Sequence, residues 1–162
     1  ITTFSLDIDP IAVNKNFLKA KKDNDNYIIP LIFDISNPSP SVGFSNSERI
    51  GLLDRIKNKF DNVDLALALA LVHHLRFTYN IPLDYIAEYF SKTSKFLIIE
   101  FVDKEDSMVQ FMLKNRADIF KDYTEEIFEK EFKKFYNIVK KEKIFSSART
   151  LYLMEKKDWK LF

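Results

Sequence analysis

The chain contains no cysteine. Disulfides, thiolate nucleophiles and thiolate zinc sites are excluded together. Glycine is nearly as scarce. Only Gly43 and Gly51 occur in 162 residues, few for an α/β fold that brings its backbone close to a nucleotide. The only histidines are His73 and His74, so no third imidazole exists to complete a histidine metal site. Neither sign of charge dominates, with 25 basic against 24 acidic side chains, and bulk attraction for nucleic acid or anionic lipid is not indicated. No apolar run reaches the length of a membrane span, and no signal-peptide pattern opens the chain. A cytoplasmic protein without membrane partners is the expectation. At 46% hydrophobic, the length suits one domain over residues 1–157, followed by a tail, residues 158–162, docked or frayed through Trp159. Starting on Ile1 and poor in glycine, the chain reads as a fragment.

What is present is organised around residues 63–75 (VDLALALALVHHL), a long run with no charge after its opening aspartate. Ala and Leu favour helices by propensity, yet their alternation also suits a buried strand, small side chains on one face and large on the other. Context favours the strand, with residues 63–72 as its extent. An amphipathic helical segment precedes the run, and a helix-like stretch and a second apolar run, residues 95–102 (KFLIIEFV), follow it. Such alternation predicts an α/β fold with a parallel sheet. Ligands of such sheets gather beyond the carboxyl ends of the strands, which is where His73 and His74 fall.

In chain order, residues 1–8 (ITTFSLDI) are strand-like and end among Asp7, Ile8 and Asp9. Pro10 opens a helix through residue 20. A carboxylate at such a strand end can accept hydrogen bonds from both hydroxyls of a ribose; it can equally be a helix cap at Asp9 and a solvated strand end at Asp7. Residues 27–35 (YIIPLIFDI) form the next strand, ending in Asp34 and Ile35, an acceptor for an amine and an apolar surface for a ring, or simply an acidic turn. Residues 47–60 have helical spacing, with Asn46 or Ser47 as cap. Residues 80–93 repeat the pattern with Ile86, Tyr89 and Phe90 inward. Glu100 interrupts an apolar strand near its carboxyl end, so it is either a site residue or the partner of a buried donor. Two helix-like pieces lie in residues 103–123, on either side of Asn115-Arg116. Thr124 caps a helix carrying Ile127, Phe128, Phe132 and Phe135 on one face. Strand-like residues 136–145 and 150–156 flank Ser146-Ser147, predicting a terminal antiparallel hairpin.

These segments resemble the class I S-adenosylmethionine-dependent methyltransferases. Asp7-Ile8-Asp9-Pro10 with Ala12-Val13 is similar to their second-strand motif, Phe33-Asp34-Ile35 to their third, and Leu69-Ala70-Leu71-Val72-His73-His74-Leu75 to a fourth-strand segment ending in HHL. Residues 127–138 resemble the helix and strand before their final hairpin. More narrowly, Asn37-Pro38-Ser39-Pro40, Glu48-Arg49, Ile98-Ile99-Glu100-Phe101-Val102, Asp118-Ile119-Phe120 with Asp122-Tyr123, and Arg149-Thr150-Leu151-Tyr152-Leu153-Met154 resemble a bacterial subgroup of unassigned substrate. The Asn-Pro-Ser-Pro run differs from the Asn-Pro-Pro-aromatic box of amino-group methyltransferases in both its place and its last residue.

The resemblance implies a Rossmann-like fold, a mostly parallel sheet of order 3-2-1-4-5-7-6 with a C-terminal antiparallel hairpin. It also implies that the first, central strand and its Gly-rich turn are absent from this chain. It implies S-adenosyl-L-methionine as cofactor and an unidentified methyl acceptor as partner. Asp7 and Ile8 would serve the ribose, Asp34 and Ile35 the adenine, and Ala70 onward the methionine side. From their chemistry, His73 or His74 is the candidate general base, with packing and helix capping as the plain alternatives. Glu100 and Lys104 are candidates for substrate contact, and Arg116 and Arg149 for meeting an anion. Self-association through the incomplete sheet is a further expectation. A rival class is a Rossmann-like scaffold that binds no cofactor and works through protein contacts, with 16 phenylalanines to supply apolar surface. A second rival, an NAD-dependent enzyme, predicts a parallel final strand.

Overall fold

The computed structural model describes residues 1–60, 63–115 and 117–157. Arg116 and the tail with Trp159 lie outside the described residues. The chain falls into two compact units, Ile1–Arg55 and Ile56–Phe162.

The first unit is a β-α-β element. Strand β1 (Thr3–Asp7) leads to helix α1 (Pro10–Lys22) and strand β2 (Ile28–Ile32), and β1 and β2 pair in parallel from Thr3 opposite Ile28 to Asp7 opposite Ile32. Helix α1 starts where an acceptor and a proline coincide: the Asp9 carboxylate accepts the Ile11 N–H at 2.8 Å, and Pro10 occupies the first turn. Its last turn carries Lys19, Lys21 and Lys22 against the negative end of the helix dipole. Helix α2 (Leu52–Phe60), within which the boundary of the two units falls, begins five residues later than its apolar spacing suggests. The expected cap at Asn46 or Ser47 is engaged elsewhere. Val42 and Arg49 are bridged, Asn46 lies in a left-handed conformation, and Ser47 donates its hydroxyl to the Phe44 carbonyl. Both glycines serve this loop. Gly43 has φ +92°, and a Cβ on Gly51 would stand 2.8 Å from the Ser39 carbonyl oxygen.

The second unit holds β3 (Val63–Ala68), α3 (Val72–Phe77), α4 (Leu83–Thr93), β4 (Ser94–Val102), α5 (Ser107–Leu113), α6 (Glu125–Phe132), β5 (Tyr136–Lys143) and β6 (Arg149–Lys156). Its sheet has the order β3-β4-β6-β5, β3 parallel to β4 and β6 antiparallel to both its neighbours. The described strands thus form two sheets with two parallel and two antiparallel pairings, a mixed α/β architecture. One face of the larger sheet is buried through Ala68, Leu97, Ile99, Tyr152 and Met154. Against it lies an aromatic core: the Phe101 and Tyr123 rings are stacked at 5.0 Å, and Phe128 contacts Phe101, Phe132 and Tyr152. Helix α6 is capped as expected, Thr124 accepting the Ile127 N–H at 3.3 Å, and Phe128 and Phe132 are buried. The terminal hairpin is also as expected.

Two expectations are corrected here. The Leu/Ala run is a strand only to Ala68. Ala70 then turns the chain at φ +50°, and His73 and His74 belong to helix α3. The burial period changes at the same point: Ala66 and Ala68 alternate with exposed leucines, whereas Val72, Leu75 and Arg76 follow helical spacing. Around residues 117–123 no second helix forms among the described residues. That segment is held by side chains: the Tyr123 hydroxyl donates to the Val102 carbonyl at 2.9 Å, and Phe120 and Tyr123 pack on Phe77. No helix of the described residues is long and apolar enough to cross a membrane.

Candidate functional site

The residues singled out by sequence occupy the carboxyl ends of parallel strands, in two groups that belong to different units. In the first unit, Asp7 ends β1 and is exposed, its Oδ1 accepting the Asp9 N–H at 2.9 Å. Ile8 beside it is exposed. The chain after β2 stays alongside, Phe33 donating its N–H to the Asp7 carbonyl at 2.8 Å. Asp34 follows, its Oδ1 accepting both the Ser36 N–H at 2.9 Å and the Ser36 hydroxyl at 2.6 Å. The Ser36 hydroxyl holds the Asp34 carboxyl below the ordinary carboxylate range. Ile35 is half-buried. Asp9 is a helix cap, the plain reading of the two.

In the second unit the ends of β3 and β4 are joined by a buried carboxylate. Glu100, 6% exposed, accepts the Ala70 N–H through Oε2 at 2.5 Å. Its Oε1 faces Arg149 Nη1 at 3.4 Å, and Arg149 Nε donates to Asp106 Oδ2 at 2.9 Å. Asp106 in turn caps α5, accepting the Met108 N–H at 2.9 Å. Glu100 thus has a donor partner, the backbone N–H of the exposed Ala70. A left-handed alanine costs about 1–2 kcal/mol, and a charge-assisted bond to its N–H offsets a cost of that size.

His73 and His74 stand on the first turns of α3, rings 4.2 Å apart. His73 is 3% exposed, and its Nδ1 is buried without a partner among the described residues. Burial, then the nearby His74 and Arg149, lower its pKa to about 4. It is a neutral imidazole at neutral pH. His74 is exposed. Adjacency on a helix, not a strand, lets the two rings touch. Lys104 is brought to a different place. Its ammonium donates to Asp118 Oδ2 at 2.8 Å and to the Phe120 carbonyl at 2.6 Å, pinning the loop before α6.

Two residues outside the sequence candidates matter here. Asp106 had a local signal, an aspartate ahead of an apolar helix, but none for its pairing with Arg149, 43 positions away. Arg76 is buried; its Nη2 donates to both carboxylate oxygens of Asp122, at 2.8 and 3.0 Å, its Nη1 donates to Asn80, and its guanidinium stands 4.7 Å from the centre of the Phe120 ring. No group of three or more metal-ligating side chains occurs among the described residues.

Strand order and site position define a mixed α/β protein with its polar groups at the strand ends. The chain is 39% identical over 152 residues to nodulation protein NoeA of Rhizobium meliloti (strain 1021), a match covering 94% of this chain and 31% of that protein. It thus spans about a third of the length of the curated relative. The crystal structure of the PH0226 protein from Pyrococcus horikoshii OT3 shares its fold, with a TM-score of 0.56 at 13% identity over 97% of this chain and 72% of that one. No protein-family model matches the chain.

Proposed function

We propose that this chain is part of an S-adenosyl-L-methionine-dependent methyltransferase of the class I type. One observation carries the reading: β6 runs antiparallel between β4 and β5. The orders β2-β1 and β3-β4-β6-β5 correspond strand by strand to the 3-2 and 4-5-7-6 parts of the class I methyltransferase order. An NAD-binding fold of the doubly wound type would place a parallel strand where β6 lies.

The residues of the first unit fit the nucleoside part of the cofactor. Asp7 offers an exposed carboxylate at a strand end, the acceptor that ribose hydroxyls need. Asp34, held ionised by Ser36, offers a further acceptor for an amine, with Ile35 as the apolar neighbour of a ring. The cofactor supplies an electrophilic methyl group. The protein's own contribution is to orient the acceptor and remove its proton. His74, exposed on α3, is the residue assigned to that proton, while His73 is buried behind it as a neutral packing partner. Glu100 positions the turn before them by holding the Ala70 N–H.

Titration calorimetry with S-adenosylhomocysteine, on this chain and on the polypeptide of its complete reading frame, tests the reading. Binding that disappears in Asp7→Ala supports it. A well-folded full polypeptide that gives no heat overturns it and favours the cofactor-free scaffold.

A further inference from the structure

We infer that Arg149 is a positioning residue of the proposed site: it fixes the turn that carries His73 and His74, acting through Glu100 rather than on the acceptor. A continuous series of hydrogen bonds runs from the start of α5 to that turn. Asp106 caps α5 through Oδ1 and accepts from Arg149 Nε through Oδ2 at 2.9 Å. Arg149 Nη1 donates to Glu100 Oε1 at 3.4 Å, and Glu100 Oε2 accepts the Ala70 N–H. Ala70 holds φ +50°, and α3 begins two residues later.

The chemistry of the series calls for a guanidinium. The side chains of Glu100 and Asp106 are 7% and 10% exposed. Carboxylates so far withdrawn from water keep their places only beside a counter-charge, and Arg149 supplies one to both. Its Nε and Nη1 lie in one rigid plane, so a single side chain addresses two carboxylates at once; an ammonium is a point charge and cannot. The backbone leaves that fork little freedom. Arg149 stands opposite Val102 in the β4–β6 register, and its carbonyl accepts the Ile144 N–H. With Oε1 engaged by this fixed group, Oε2 is the oxygen left for Ala70.

Where the series ends separates positioning from plain stabilisation. A buried ion pair is a weak source of stability, yet it can select one arrangement among several. This one terminates on a left-handed alanine, a strained conformation of the kind found where geometry serves a site. Next in the chain come two histidines whose rings stand 4.2 Å apart. Beyond burial and His74, the charges that act on the His73 pKa are the same two, Arg149 lowering it and Asp106 raising it. His74 is called the base on the methyltransferase reading; the coupling itself needs no cofactor.

Nuclear magnetic resonance of the polypeptide of the complete reading frame, with histidine and alanine selectively labelled, tests it. The unaltered protein is expected to show an Overhauser contact between the His73 and His74 rings. Arg149→Met, which keeps length but not charge, should lose that contact. Its Ala70 amide should exchange roughly tenfold faster while the Ile99 and Met154 amides stay as they were. Arg149→Lys restores the charge without the fork and should fall between. An unchanged ring contact and unchanged Ala70 exchange in both variants overturn the inference. So does equal acceleration at Ala70, Ile99 and Met154 in Arg149→Met, since the residue then only stabilises the sheet. If Arg149→Met does not fold, Arg149→Lys decides by the same readings. Both are taken without S-adenosylhomocysteine, so a failed coupling and a failed cofactor reading are told apart.

Discussion

Replacing Glu100 should release the turn between β3 and α3. The Ala70 N–H donates to its Oε2 at 2.5 Å, and Ala70 is held at φ +50°. A hydrogen bond to a buried charged group contributes about 1.5–3 kcal/mol, and truncation also leaves a small cavity. Arg149 is not orphaned, because it keeps Asp106 at 2.9 Å. Glu100→Ala should therefore cost about 3 kcal/mol locally. Glu100→Gln should cost only about 1 kcal/mol, since the amide oxygen still accepts from Ala70. Read as exchange of the Ala70 amide proton by nuclear magnetic resonance, these losses correspond to roughly 150-fold and 5-fold acceleration. Ala70→Gly in the Glu100→Ala background should recover about 1 kcal/mol, because glycine adopts the left-handed turn without strain. Unchanged Ala70 exchange in Glu100→Ala, or equal damage from Gln and Ala, would refute the clamp.

Lys133, then Lys141, hold the Glu129 carboxyl at about 2. Its folded pKa lies below its unfolded value, so this stabilisation is complete above about pH 4.5 and fades as the pH falls toward 2. Melting curves from pH 6 to 2 should show that acid limb flattened in Glu129→Gln. His73 acts in the same direction through burial: with a folded pKa of about 4, the unfolded chain binds the extra proton, so stability falls as pH drops from about 6.5 toward 4. His73→Phe should lessen that loss, and imidazole nitrogen shifts should show His73 still neutral at pH 5.5. Arg76→Ala should cost about 2–3 kcal/mol in urea unfolding, reduced from the cost of a fully buried pair because Asp122 is 48% exposed. If methyl transfer is detected, His74→Ala should lower its rate about a hundredfold, whereas an unchanged rate removes His74 from the proton-transfer role.

Much of this protein follows from local chemistry that can be read along the chain. Asp9-Pro10 starts α1, Thr124 starts α6, and Ser146-Ser147 turns the terminal hairpin, because each depends on neighbours a few residues away. The acidic strand ends at Asp7 and Asp34 are visible for the same reason. Where local signals were equivocal, distant contacts decided. Leu-Ala alternation suits strand and helix alike, and the run breaks at Ala70 because a carboxylate 30 residues away accepts its N–H. That break moves His73 and His74 from a strand to a helix and buries one of them. Ser47 looked like a cap, but its hydroxyl bonds the Phe44 carbonyl and the Val42–Arg49 bridge delays α2. Lys104 and Arg149 looked available to a substrate until Asp118, Asp106 and Glu100 engaged them. Composition and spacing determined which elements exist, since propensity, capping and turn chemistry act over a few residues. Which charges are already paired, and which face of β3 stays uncovered, was decided only by tertiary structure, because those outcomes depend on residues dozens of positions apart.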